Sequence, residues 1–185
     1  WHWGGSKGFR SILKRRIKNL PNGSCAAKNN DEDNLGIKSY CKLPGILMLL
    51  SGIGTKGDGH EIYIEEVLTQ NQSTPWKICA WHKNQRDMQV GTKRDEVGWD
   101  AYQTCAKHGA MIMTGHEHSY SRTRTLTKIG LRDQNHGVTG SYKNLRVGPG
   151  STFAVVSGLG GKSARPYNCH LHDEDTWWAS IYSAN

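Results

Sequence analysis

Apolar and polar positions along the chain fall into short blocks, and the blocks change period. Ile46 to Leu50 is a wholly apolar run bounded by Pro44-Gly45 and Ser51-Gly52, which predicts a buried strand. Ile64, Val67 and Leu68 then recur at helical spacing behind Asp58 and Glu61, whose D-x-x-E form is that of a capping box, so a helix is predicted over 59–69 with Asp58 as its cap. Trp76 to Trp81 is a second short strand. After the polar loop 82–93, Val97, Ala101 and Cys105 stand at i, i+4 and i+8 and predict a helix over 95–108, stopped by Gly109. Ala110 to Met113 predicts a third strand, covered on both faces, and Thr152 to Val156 and Trp177 to Tyr182 two more. A strand, helix, strand, helix, strand order implies the α/β class, with parallel neighbours joined by right-handed crossovers.

The first 44 residues read differently. Leu13, Ile17 and Leu20 recur at helical spacing through the basic run Lys14-Arg15-Arg16-Ile17-Lys18, which predicts a short amphipathic helix with a solvated basic face. Residues 21–44, rich in Asn, Gly, Asp and Lys, read as a long loop. With 185 residues the chain has the length of one domain. Its opening Trp1-His2-Trp3-Gly4, without methionine, and its end at Ser183-Ala184-Asn185 suggest one partial domain over 1–185, loop-rich over 1–44 and with its core over 45–182. No apolar run approaches the roughly 18 residues of a membrane span. Lys plus Arg exceeds Asp plus Glu by 24 to 16, a net +8 that suits a polyanionic partner, although nucleic acid is not favoured. Oligomeric state has no signal in the sequence.

Five cysteines (Cys25, Cys41, Cys79, Cys105, Cys169) form no CxxC pair, which argues against a structural zinc module. The sequons Asn22-Gly23-Ser24 and Asn71-Gln72-Ser73 tilt the reading toward an extracellular or secretory setting and a glycoprotein. There Cys25 and Cys41 could pair across the polar loop, whereas Cys79 and Cys105 lie in segments that read as core.

Histidines stand at the ends of two of these strands. His82 follows strand 76–81 directly, and His116-Glu117-His118 begins two residues after strand 110–113 ends. In an extended segment His116 and His118 would point the same way. Neighbouring parallel strands would bring all three imidazoles to one sheet edge, where they could supply nitrogen ligands to Zn, Fe or Mn. Such an edge is where open α/β sheets bind ligands.

Gly115-His116-Glu117-His118-Ser119-Tyr120-Ser121-Arg122 resembles the G-H-x-H signature of calcineurin-like metallophosphoesterases, and its aromatic and arginine are similar to those of purple acid phosphatases. His82 resembles the isolated histidine upstream of that signature, and Phe153-Ala154-Val155-Val156-Ser157-Gly158-Leu159-Gly160-Gly161 the strand and glycine turn that follow it. The resemblance implies two packed β-sheets flanked by helices (αββα), incomplete here at both ends. It also implies a phosphoester hydrolase with two divalent or trivalent metal ions (Fe, Zn or Mn) sharing a hydroxide that attacks phosphorus. His82 and His116 would bind one metal and His118 the other. The family's upstream D-x-H and G-D blocks and its G-N-H are expected before His82, yet no G-N-H occurs. Half the metal cage is therefore missing, its catalytic groups are unassigned, and the chain alone is expected to show little hydrolysis of a phosphate ester. A pseudoenzyme, or a basic module binding acidic glycan or nucleic acid, is the alternative.

Other motifs carry bland readings. Gly57-Asp58-Gly59-His60 imitates both G-D and D-x-H, but the capping box accounts for Asp58. Gly52-Ile53-Gly54-Thr55-Lys56-Gly57 fits a dinucleotide fingerprint without its partner acid and reads as a turn between strand and helix. His170 and His172, beside Asp173, Glu174 and Asp175, read as a solvated loop, and Trp76, Trp81, Trp177 and Trp178 as core.

Overall fold

The computed structural model describes residues 8–184. The opening tryptophans lie outside them. A first helix, α1 (Phe9–Ile17), leads through β1 (Cys25–Ala27), β2 (Lys38–Leu43) and β3 (Ile46–Ser51) to α2 (His60–Gln70) and β4 (Trp76–Ala80). The crossover helix α3 (Asp100–Lys107) and β5 (Met111–Thr114) come next. They are followed by β6 (Tyr120–Thr123), β7 (Thr125–Leu126), β8 (Val138–Thr139), β9 (Ala154–Ser157), α4 (Cys169–His172) and β10 (Trp178–Tyr182). The mixed α/β class is as expected, a large sheet flanked by helices. Its strands gather in one eight-stranded sheet, ordered β1-β2-β3-β4-β5-β9-β6-β10, and a separate two-stranded ladder of β7 and β8. The sheet stays continuous because β6 pairs antiparallel with β9 and carries it on to β10.

β3, β4 and β5 run parallel, as the alternation of strands and helices predicts, and β9 joins them parallel to β5. Along β3 the side chains alternate. Leu47 and Leu49 are fully buried in a core with Tyr63, Ile64 and Leu68 of α2, whereas Ile46 and Met48 on the opposite face are 38% and 41% exposed. Burying one such leucine contributes on the order of 2 kcal/mol. Tyr102 and Cys105 of α3 complete this layer with Cys79 and Ile112, and Trp81, Trp177 and Trp178 are core as expected, but Trp76 is 56% exposed.

Three local expectations are corrected. The segment 21–44 is not a long loop, because β1 and β2 extend the sheet antiparallel from β3. Pro44-Gly45 is the two-residue turn of the β2–β3 hairpin, with Gly45 at φ 77°, and the alternation of β2 is weak because it lies near the sheet's edge. Asp58 does not cap α2. Gly59, at φ 57°, occupies the cap position without a side-chain bond, and Asp58 is exposed. The second helix starts at Asp100 rather than residue 95, since Asp95 Oδ1 accepts the amides of Val97 and Gly98 in a turn and Gly98 takes φ 65°.

Two disulfides, Cys25–Cys41 and Cys79–Cys105, are compatible with secretion. The second bridges core segments and pins α3 to the strand that leads into His82. Cys169 is a free, exposed thiol. Of the two sequon asparagines, Asn71 is buried, its amide nitrogen donating to the Val67 carbonyl at 2.8 Å, and Asn22 is exposed. Among the described residues, no helix is long and apolar enough to cross a membrane.

Candidate metal centre

Parallel register sets up the site. Ala80 stands opposite Met113, and beyond that pair the chains keep bonding: Trp81 N–H donates to the Met113 carbonyl at 3.1 Å and Gly115 N–H to the His82 carbonyl at 3.2 Å. The two strand exits are thereby zipped together, and their histidines abut. His82 Nε2 and His116 Nδ1 are 3.1 Å apart, with ring planes inclined at 69°. The far nitrogen of His116, Nε2, lies 2.9 Å from Glu96 Oε2. Glu96 Oε1 is paired with Lys83.

Asn84, fully buried, fastens the surrounding loops. Its amide nitrogen donates to Thr114 Oγ1 at 2.6 Å, its Oδ1 accepts the Glu117 amide at 3.1 Å, and its carbonyl accepts the Glu96 amide at 3.2 Å. One side chain and its backbone thus connect the end of β5, the histidine loop and the Glu96 loop.

Burial, reinforced by nearby positive charge, keeps the rings neutral. Burial pushes His116 down to about 4, aided by the charges of Lys93 and Lys83 and only partly opposed by Glu96. His82 is lowered by burial and then by Lys83. Burial alone would raise the Glu96 carboxyl, but the Lys83 hydrogen bond and nearby positive charges outweigh it and hold it below its ordinary value. At neutral pH a neutral His116 therefore faces an ionised Glu96, so this contact is a hydrogen bond rather than an ion pair. A carboxylate only accepts, which puts the imidazole proton on Nε2 and leaves Nδ1 as a lone pair for the proton of His82 Nε2.

Of the three histidines singled out in the sequence, the structure joins His82 and His116. His118, half-buried on the same loop, is near enough for its charge to oppose protonation of His82 but does not complete a cluster. Among the described residues, no three His, Cys, Asp or Glu side chains converge as a metal-holding group. The separation of the pair is one that two nitrogens bonded to one cation at about 2.0–2.1 Å each would also show, roughly 3 Å.

Glu96 is the residue that the sequence reading missed, absorbed into a helix that starts four positions later. Its signal was slight, an acid closing the run Lys93-Arg94-Asp95. Glu117, between the two histidines, points the other way. It is fully buried, packs against Gly91, and meets Arg165 at 3.7 Å, while neither carboxylate oxygen has a hydrogen bond. The imitation site at 57–60 is filled from within, since His60 Nδ1 meets Ser51 Oγ at 3.1 Å and Nε2 the Lys56 carbonyl at 3.0 Å. His172 is not in a solvated loop. It is buried at the end of α4, bonded to Asp175 Oδ2 at 2.7 Å and the Gly91 carbonyl at 3.0 Å.

No protein-family model and no curated protein matches the chain. Among solved structures it is similar to the purple acid phosphatase PPD1 from yellow lupin (Lupinus luteus) seeds, with a TM-score of 0.57 and 19% identity over 78% of this chain. The match covers 26% of that protein, so the chain spans about a quarter of its length. A likeness at this identity speaks for the fold alone, which over this stretch is similar to that of the phosphatase.

Proposed function

We propose that residues 1–185 form part of a metal-dependent phosphoester hydrolase domain, with His82 and His116 holding one metal and His118 contributing to a second. The observation that carries this reading is the pair of imidazole nitrogens 3.1 Å apart at the exits of neighbouring parallel strands. Two divalent or trivalent ions (Fe, Zn or Mn), when bound, supply Lewis-acid stabilisation of the phosphoryl group and activation of water. The chain's own residues do the rest. Lys83 and Lys93 place positive charge beside the histidines, which favours an anionic phosphate ester and adds to the burial that keeps the imidazoles unprotonated and ready to ligate. Asn84 fixes the spacing of the loops. The alternative of a basic binding module draws less support, because Arg10 and Lys14 of α1 are already paired with Asp33 and Glu32.

Metal retention is the direct test. The purified chain, dialysed against Zn²⁺ or Mn²⁺ and washed, is expected to retain metal, and His82→Ala or His116→Ala to lower that retention at least tenfold. Retention unaffected by either change would overturn the reading. Little turnover of a chromogenic phosphate ester is expected from this chain, which lacks a G-N-H motif.

A further inference from the structure

We propose that Glu96 is the positioning residue of the metal centre: through His116 Nε2 it turns the lone pair of Nδ1 toward the metal. The inference rests on the metal reading above. An imidazole offers either nitrogen, and the one left free is decided by what the other one binds. Glu96 Oε2, 2.9 Å from Nε2, can only accept, so the proton resides there and Nδ1 faces His82 Nε2 at 3.1 Å. Glu96 acts through His116 rather than as a ligand, since Oε2 is on the far side of that ring and Oε1 is taken by Lys83.

The carboxylate is itself held. Lys83 follows His82 directly, so the line Lys83, Glu96, His116 ties one strand exit to the other. The Glu96 amide donates to the Asn84 carbonyl at 3.2 Å. On its other side, Gly54 lies so close that an added Cβ would stand 2.6 Å from the Glu96 carbonyl oxygen. A residue held at its carboxylate by Lys83 and at its backbone by Asn84 and Gly54, with 17% of its side chain exposed, is suited to fixing another.

Titration of the purified chain with Co²⁺ alone, followed by its visible absorption, provides one arm of the test. Glu96→Gln is expected to weaken Co²⁺ binding 10- to 100-fold. The second arm is nitrogen-15 NMR of the metal-free histidine rings, in which His116 is expected to carry its proton on Nε2 in the unaltered chain and to move it toward Nδ1 in Glu96→Gln. Both must move. If the unaltered chain binds Co²⁺ and Glu96→Gln matches it in affinity or in tautomer, the role of Glu96 is overturned and the metal reading stands. If the unaltered chain does not bind Co²⁺, both fall. A proton on Nδ1 in the unaltered chain overturns the inference even if the variant fails to fold.

Discussion

His60 and His116 are both withdrawn from water, and burial lowers both below the ordinary imidazole range, yet they do opposite things. His60 spends its two nitrogens on Ser51 Oγ and the Lys56 carbonyl, partners from the turn that delivers it. His116 spends one on a carboxylate from another loop and turns the other to a second imidazole. The first ring is a brace, because its partners have no other use for the contact. In the proposed metal centre the second is exchangeable, because the proton between two imidazoles is one that a cation can replace. His136 is closer in kind to His60 than to His116: its Nδ1 accepts the Gly130 amide at 3.1 Å and its ring stands edge-on to Trp177 with centroids 4.5 Å apart, although its buried Nε2 has no hydrogen bond. Burial and a lowered pKa therefore do not mark a site here. The origin of the partners does.

That contrast depends on the histidine loop being held in place, and the largest expected effect comes from loosening it. Gly158, at the exit of β9, lies so close that an added Cβ would sit 1.8 Å from the Glu117 carbonyl oxygen, backbone against backbone. Neither chain can yield without moving His116 or His118. Gly158→Ala is expected to cost about 4 kcal/mol in denaturant unfolding and to weaken metal binding in whatever folds. A loss under about 1 kcal/mol would mean that the loop has slack, and the joined imidazoles would then be one arrangement among several.

Gly91→Ala probes the same loop from beneath and is expected to cost less, about 2 kcal/mol. Its Cβ would stand 2.5 Å from Glu117 Cδ, the end of a side chain, but that side chain is fully buried. Pairing it with Glu117→Ala removes the obstacle, so the double variant should recover most of the loss measured relative to Glu117→Ala alone. Additive losses would show that the tight contact is not what fixes the loop.

The legible and illegible parts of the fold divide along the same line. The run β3, α2, β4, α3, β5 could be read because its apolar positions repeat with one period at a time, and His82 and His116 could be placed because each follows such a strand. β2 could not: Lys38-Ser39-Tyr40-Cys41-Lys42-Leu43 does not alternate polar with apolar, and its pairing comes from the hairpin turn rather than from its own pattern. Asp58 matched a capping box, but the left-handed Gly59 between it and the helix gave the cap position to the glycine. Glu117 carried no warning of burial, since nothing in the local sequence announces Gly91 or Arg165 against it. Glu96 was hidden by helical spacing that Asp95 and Gly98 interrupt. Each of these is a tertiary effect, decided by residues distant in sequence or by a single backbone angle.

The smallest expected effect tests whether the braces are braces. Burial lowers both His60 and His136; at His60 the nearby charge of Lys38 adds to it, while the carbonyls of Gly57 and Lys56 and the charge of Glu61 oppose it. A base whose folded pKa lies below its unfolded value of about 6.5 binds its proton more readily when unfolded, so stability is fully present above pH 6.5 and declines as pH falls through the folded pKa. Denaturant unfolding between pH 7.5 and 5 should therefore show falling stability, and His60→Gln should flatten the curve by removing one of the groups responsible. The edge imidazoles carry the same sign, because His82 and His116 are also lowered. Saturating metal should not flatten the curve: it keeps protons off folded His82 and His116 while the unfolded rings still take them up, so their share persists or steepens, and His60→Gln remains the change that removes the His60 share. If His60→Gln left the curve unchanged, that buried ring would contribute nothing to it, and the division between brace and ligand would have to be drawn by some property other than the partners each ring keeps.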